Sequence, residues 1–304
     1  MGIMVGAATE NSPAVGLAPK ARWIAARGCD TLFCDSTWLI AAAEWILAPT
    51  DLQGANPRPD LRPHIVNNSW GGAGGDDWYA GYVTAWNAAG IFSTFAAGNS
   101  GMMGCGSVSS PGDYPESLAV GATTSEDVIA TFSGRGPTRD GRIKPDITAP
   151  GHQIISAVPG NGYTSYSGTS MAAPHVAALA ALLWSANPAL IGDLAETRAI
   201  IEQTAVAIPS GECGDSGSTI PNNAYGWGRI DAYAALTRAR VDIAWLDAPH
   251  EVSIEPGGLA TIPVTLDGRM VAGPGLYWAR LLVGNGSSEP LHPITVAPHC
   301  GRRP

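Results

Sequence analysis

The stretch Gly168–His175 reads GTSMAAPH and leads directly into Val176–Trp184, which is almost wholly apolar. This pattern predicts a buried helix whose first turn begins at Ser170. First-turn amides have no intrahelical acceptor and the helix dipole there favours negative charge, so the turn suits a serine that acts as a nucleophile. Gly168 allows a substrate to approach the backbone closely. Pro174 is expected within the first turn, where a missing N–H costs nothing.

The rest of residues 1–238 alternates short apolar runs with helix-like stretches, which is the pattern of an α/β fold with a parallel sheet covered by helices in three layers. Three strands and three helices are predicted: strands over His64–Asn68, Ile91–Ala96 and Ser117–Ala122, helices over Trp38–Leu47, Trp78–Ala89 and Ser170–Ala186. Ligands bind such sheets at the carboxyl ends of the strands. The loops Asn68–Gly72 and Gly98–Gly101 fall there.

Residues 239–304 have a different pattern and predict a small β-rich module, a partial β-sandwich-like domain. Apolar residues alternate with polar ones over 260–266, and Leu276–Val283 and Pro293–Val296 predict further strands. Cys300–Pro304 has no strand character. These strands are too few for a complete sandwich.

The composition is that of a compact globular protein, with 304 residues, 45% hydrophobic and 14% charged. A formal net charge of −9 argues against a nucleic-acid partner or an anionic membrane surface. No apolar run approaches the roughly 20 residues of a membrane-spanning helix. Met1–Gly6 lacks a basic region and is too short for a signal peptide, so we expect no export signal in the chain as written.

The five cysteines favour disulfides over reduced structural thiols, and no Cys-x-x-Cys pair or Cys/His quartet indicates a metal site. Cys29 with Cys34 would close a small loop and Cys105 with Cys213 a long one. Cys300 is then left over.

Two glycine-containing segments are candidates for substrate contacts. Asn99, in the segment AAGNSG over residues 96–101, could donate a hydrogen bond to an oxyanion from its side-chain amide. The segment SWGG over Ser69–Gly72 could pair with an extended peptide. Considered singly, both segments are also typical of ordinary turns, and Ser170 is typical of a helix N-cap.

Taken together, GTSMAAPH, AAGNSG and SWGG resemble the motifs of subtilisin-like serine peptidases, the peptidase family S8. Four more segments fit the same family order: residues 16–21, 132–137, 144–151 and 225–232. The resemblance covers residues 1 to about 238 and implies a subtilisin-like fold with Ser170 as nucleophile and Asn99 in the oxyanion hole. The substrate-binding residues that it implies are Ser69, Trp70, Gly71, Gly72, Ala97 and Gly98. Trp70 departs from the small aliphatic residue expected at its position.

No residue of the chain can be nominated as the base of a catalytic triad. His175 lies about 140° around the helix from Ser170. His64 and His152 are not in a segment like that of the family's catalytic His, and the remaining histidines belong to residues 239–304. A Ser-Lys dyad would have to use Lys20 or Lys144, which sit in other matched segments. Met1–Gly6 resembles the end of the helix that follows the catalytic His. We therefore expect the chain to be N-terminally truncated, to lack the triad Asp and His, and to be inactive alone.

The sequence thus predicts a serine endopeptidase whose complete parent is secreted and acts as a monomer on polypeptides, with no nucleic-acid or membrane partner. The alternatives are a non-catalytic peptide-binding pseudopeptidase and a structural extracellular protein with residues 240–304 as an adhesion module. The chemistry needs no cofactor. No motif supports a structural calcium site.

Overall fold

A computed structural model describes residues 1–8, 14–30, 33–160 and 162–239, and parts of the remaining chain: 246–248, 252–253, 259–267, 275–276, 279–283, 292–296 and 299–300. The chain divides into two compact units, Met1–Arg240 and Val241–Pro304. The first unit contains all of the candidate site residues.

Four parallel strands form the central sheet of the first unit, in the order β1-β2-β3-β4. They are β1 Ile65–Asn68, β2 Phe92–Ala96, β3 Leu118–Thr123 and β4 Ile147–Pro150. The first three match the predicted strands. An antiparallel hairpin, β5 Ile154–Val158 with β6 Gly162–Tyr166, follows the sheet.

The described residues of this unit form six α-helices: α1 Gly2–Val5, α2 Ser36–Leu47, α3 Ala80–Ala88, α4 Thr169–Ala186, α5 Leu194–Gln203 and α6 Ala232–Arg238. The starts of α2, α5 and α6 are each fixed by an aspartate N-cap whose carboxylate accepts a backbone N–H from the first turn. The predicted helices correspond to α2, α3 and α4.

Successive side chains of a strand point to opposite faces of the sheet. Helices cover both faces. On β2, Phe92 belongs to the core under α4 and Phe95 to the core under α3. The first core also contains Val176, Leu179 and Leu183 of α4. The second contains Val83 and Trp86 of α3. The result is the predicted three-layer arrangement.

Helix α4 corrects two predictions. It begins at Thr169, and Pro174 lies inside the helix and not in its first turn. By length and composition its 18 residues could span a membrane, contrary to the expectation that no run approaches that size. Most of α4 is buried against β1–β4, so its apolar character is that of a core helix.

The described parts of the second unit are short strand pairs: β7 Leu246–Asp247 with β8 Thr265–Leu266, β9 Gly275–Leu276 with β12 His299–Cys300, and β10 Ala279–Val283 with β11 His292–Val296. The strand predicted over 260–266 forms only at Thr265–Leu266, because Pro263 has no N–H to donate to a ladder. The prediction that the chain end has no strand is wrong for Cys300, which pairs with Gly275. The last four residues lie outside the described ones.

Two disulfides join the cysteine pairs considered above. Cys29 bonds Cys34 across a separation of 5 residues, and Cys105 bonds Cys213 across 108. The longer bridge ties the loop that follows β2 to the short 3-10 turn Glu212–Gly214.

Candidate active site

The start of α4 and the loop after β2 meet through Thr169 and Asn99. The backbone N–H and the hydroxyl of Thr169 both donate to Asn99 Oδ1, each at 2.9 Å. The Thr169 hydroxyl oxygen in turn accepts the Gly98 N–H at 3.2 Å. Both bonds from Thr169 end on the amide oxygen, and Asn99 Nδ2 has no hydrogen-bond partner among the described residues.

Ser170 itself is half-buried and contacts the loop after β1. Its hydroxyl donates to the Ser69 carbonyl at 3.3 Å, and the Ser69 hydroxyl donates to the Ser170 carbonyl at 2.8 Å. The structure therefore brings together Ser170, Asn99 and Ser69, which the sequence places in three separate segments.

Gly71 and Gly98 are both needed for close packing around Ser109. A Cβ on Gly71 would lie 3.0 Å from Ser109 Cβ, and one on Gly98 would lie 2.2 Å from Ser109 Oγ. Gly98 also has a φ of +96°, which disfavours any other residue. Sequence reasoning missed Ser109, because a serine in the run SVSSPG has no motif that would mark it.

The other predicted substrate-binding residues differ in accessibility. Gly71 and Gly72 are exposed, and the Gly72 N–H donates to the Ser110 carbonyl at 2.8 Å. Ala97 is fully buried, with its N–H bonded to the Val120 carbonyl and its carbonyl accepting from Ser109. Its backbone groups are thus committed inside the fold.

Trp70 packs into an aromatic cluster with Trp78 and Tyr79. The centroid of its ring lies 4.9 Å from that of Tyr79 and 6.2 Å from that of Trp78. Its indole N–H donates to Asn68 Oδ1 at 3.2 Å. The bulky residue at this position is therefore held by neighbouring aromatic rings.

The histidines of the first unit have other contacts. His175 Nδ1 lies 2.8 Å from the Met171 carbonyl and donates to it, because a carbonyl oxygen only accepts, and burial lowers the pKa of the imidazole. His64 packs edge-on against Trp184, and His152 is exposed. Within the described residues, the Ser170 hydroxyl bonds Ser69 and no histidine.

Arg135 stabilises the loop that carries Asn99. Its guanidinium donates to the Gly101 carbonyl at 3.1 Å and forms an ion pair with Glu212, Nε to Oε2, at 2.7 Å. Glu212 adjoins Cys213, so this ion pair and the Cys105–Cys213 disulfide tie the same turn to the same loop. Sequence reasoning gave Arg135 no role beyond its place in a matched segment.

Across the parts of the chain that the structure describes, no group of three or more His, Cys, Asp or Glu side chains is placed to hold an ion.

Comparisons with known proteins all point to one protein family. The model of the Subtilase family matches residues 1–228. Bacillopeptidase F of Bacillus subtilis (strain 168) is 42% identical over 259 residues, which are 84% of this chain and 17% of that protein. Alkaline elastase YaB of Bacillus sp. (strain YaB) is 44% identical over 125 residues, 41% of this chain and 31% of that protein. The chain thus spans less than a third of either relative.

A relative of more similar length is the subtilisin of Bacillus pumilus, 35% identical over 207 residues, which are 67% of this chain and 68% of the relative. Two solved structures share the fold. The prenylagaramide maturation protease PagA has a TM-score of 0.58 at 26% identity, covering 78% of this chain and 79% of that one. A mutant of the protease domain of PatA has a TM-score of 0.59 at 26% identity, covering 78% of each chain. These matches confirm the predicted α/β fold.

Proposed function

This chain belongs to the Subtilase family, and we propose that its first unit carries the nucleophile and the oxyanion donors of a serine endopeptidase. The observation that carries the proposal is the double hydrogen bond from Thr169 to Asn99 Oδ1. These two bonds fix the side-chain amide of Asn99 at the start of α4, the helix that carries Ser170, and its nitrogen is a donor with no partner among the described residues. Polarised donors at such a position stabilise the negative charge of a tetrahedral intermediate.

In the proposed reaction Ser170 Oγ bonds to the carbonyl carbon of a peptide bond while its proton passes to a histidine. The carbonyl oxygen becomes an oxyanion and accepts from Asn99 Nδ2 and the Ser170 N–H. The intermediate then breaks its C–N bond, and the amine leaves with the proton from the histidine. Water hydrolyses the resulting ester of Ser170 by the same steps. None of these steps requires a cofactor.

We further propose that the histidine, and the aspartate that orients it, come from a segment that this sequence does not contain. The contacts of His175 and His64 support this, and so does the Ser170 hydroxyl, which bonds Ser69 and no histidine among the described residues. The chain alone is then nearly inactive: loss of the base in subtilisin, a relative of this chain, lowers kcat by about 2 × 10⁶. An in-frame segment upstream of Met1 with neither Asp nor His before a stop codon would contradict this part of the proposal.

The substrate is a polypeptide that lies extended along Ser69–Gly72. Gly71 and Gly72 are exposed and have no side chains to block a backbone approach. We place the complete protein outside the cell and as a monomer. The two disulfides support an oxidising compartment.

A fluorophosphonate probe tests the nucleophile directly. We expect the chain to be labelled slowly at Ser170, and faster when imidazole is added as a substitute base. Ser170→Ala should abolish labelling. Asn99→Ala should slow it by about 10²–10³, the effect known for the same donor in subtilisin.

The outcome also separates the alternatives. Labelling that is absent with imidazole, both in this chain and in a form extended by its upstream reading frame, would favour a peptide-binding protein without catalysis. Labelling that persists in Ser170→Ala would assign the wrong serine.

A further inference from the structure

Pro174 leaves the backbone carbonyl of Ser170 without its usual partner in α4. In an α-helix the carbonyl of one residue accepts the N–H of the residue four positions later, and proline has no N–H. Pro174 lies inside α4, four residues after Ser170. The carbonyl that loses its bond therefore belongs to the residue that we propose as the nucleophile.

The Ser69 hydroxyl replaces the missing donor. It donates to the Ser170 carbonyl at 2.8 Å, across a sequence separation of 101 residues. The Ser170 hydroxyl donates in return to the Ser69 carbonyl at 3.3 Å. The first turn of α4 is thus bonded to the loop after β1 at the point where proline has removed a bond within the helix.

Asn67 sets the direction of the Ser69 hydroxyl. Its Nδ2 lies 2.9 Å from Ser69 Oγ, and an amide nitrogen only donates. Ser69 Oγ must accept this bond, so its single hydrogen is left for the Ser170 carbonyl.

Thr94 sets the orientation of Asn67 in turn. The Thr94 hydroxyl donates to Asn67 Oδ1 at 3.3 Å. The two residues are directly opposite each other in the pairing of β1 with β2, and Thr94 is fully buried. The bond holds the amide oxygen of Asn67 toward β2 and its nitrogen toward Ser69.

We propose that Asn67 and Thr94 are positioning residues for Ser170, acting through Ser69. The hydrogen bonds run in one direction, from Thr94 to Asn67 to Ser69 to the Ser170 carbonyl, and together they replace the helix bond that Pro174 removes. This inference rests on the proposed role of Ser170. Its consequence for reactivity is large, because a misplacement of about 1 Å in a reacting group costs about 10²-fold in rate.

The Ser170 carbonyl can be observed alone by NMR. Ser170–Met171 is the only serine–methionine pair in the sequence, so labelling serine carbonyls with ¹³C and methionine nitrogens with ¹⁵N gives a single carbonyl correlation. A carbonyl carbon that loses a hydrogen bond shifts to lower frequency. We expect this shift in Ser69→Ala and in Thr94→Val, which removes a hydroxyl but keeps the side-chain shape.

Asn67→Asp should produce the same shift, because the new carboxylate only accepts and would draw the Ser69 hydroxyl away from Ser170. Thr94→Ser keeps the hydroxyl and should restore the parent resonance. Ser93→Ala is the matched control: Ser93 is buried in the same strand, and its hydroxyl has no hydrogen-bond partner among the described residues. It should leave the resonance unchanged.

The proposal is overturned if the resonance is unmoved in Ser69→Ala, or if it moves there but stays in place in Thr94→Val and Asn67→Asp. Probe labelling in imidazole adds a second readout: Thr94→Val should slow labelling at Ser170 by about 10-fold or more, and Thr94→Ser should recover it. The carbonyl shift does not depend on any reaction of Ser170. Failure of the hydrogen-bond chain is therefore distinguishable from failure of the proposed function.

Discussion

Removal of the Cys105–Cys213 disulfide should destabilise the first unit much more than removal of Cys29–Cys34. A disulfide stabilises mainly by restricting the unfolded chain, and the effect grows with the logarithm of the loop that it closes. The two bridges close loops with separations of 108 and 5 residues. The chain-entropy relation then gives about 5 kcal/mol for the long loop and about 2 kcal/mol for the short one at 25 °C.

Contacts in the folded state should also make the long disulfide contribute more to stability than the short one. The long bridge lies beside the Arg135–Glu212 ion pair, which is only partly exposed on the arginine side. Without the disulfide, the turn Glu212–Gly214 is no longer covalently tied to the loop after β2, and the ion pair loses its fixed geometry.

Urea unfolding followed by tryptophan fluorescence measures both effects. The variants are Cys105→Ser/Cys213→Ser and Cys29→Ser/Cys34→Ser, which remove the same atoms from the chain. The expected difference between their free energies of unfolding is about 2–3 kcal/mol. Equal losses, or a greater loss from the short bridge, would show that loop length does not govern the contribution of these disulfides.

Two further predictions concern charged groups. Asp146→Asn should lower the free energy of unfolding in urea by about 3–5 kcal/mol, because it removes the carboxylate that lies 2.6 Å from the buried Lys144 ammonium. Asp60→Asn breaks an exposed ion pair and should have no measurable effect. A similar loss in both variants would contradict the reasoning. Hydrogen bonds from Arg142 and then Thr138 lower the pKa of Asp140 to about 2, so its contribution to stability is present above the ordinary pKa of aspartate and is lost as the pH falls through about 2. Carboxyl ¹³C titration should find that Arg142→Gln raises this pKa toward its ordinary range, and an unchanged value would exclude Arg142 as the cause.

Sequence patterns predicted the framework of the first unit, because its strands and helices have strong local signals. The runs that became β2 and β3 are mostly apolar, β1 begins with Ile65 and Val66, and a glycine, serine or threonine lies within two residues after the end of each strand. Strand β4 was not predicted, because Ile147–Pro150 is short and ends in a proline. Its position depends on pairing with β3, which no local signal encodes.

In the second unit, the sequence pattern agrees less well with the structure than in the first. Alternation over 260–266 predicted one strand, and the structure has only Thr265–Leu266 there. Ala260, Val264 and Leu266 are exposed and Ile262 is half-buried, so the alternation does not correspond to one buried face in this part of the chain. A period-2 pattern predicts a strand only where one face is covered, and the sequence alone cannot show what covers it.

The candidate site differs from the framework, because its reactive groups are marked locally and the groups that hold them are not. GTSMAAPH predicts the helix start and Ser170, but the same octapeptide suggested a harmless proline in the first turn. Counted from Thr169 or from Ser170, Pro174 lies beyond the four amides that have no intrahelical acceptor, so its missing N–H leaves the Ser170 carbonyl without a partner in α4. The Ser170 carbonyl accepts the Ser69 hydroxyl, in the loop after β1 and 101 residues away in sequence, in place of an N–H within α4. The proposed roles of Asn67 and Thr94 depend on that long-range bond, and only the pairing of β1 with β2 places Thr94 beside Asn67.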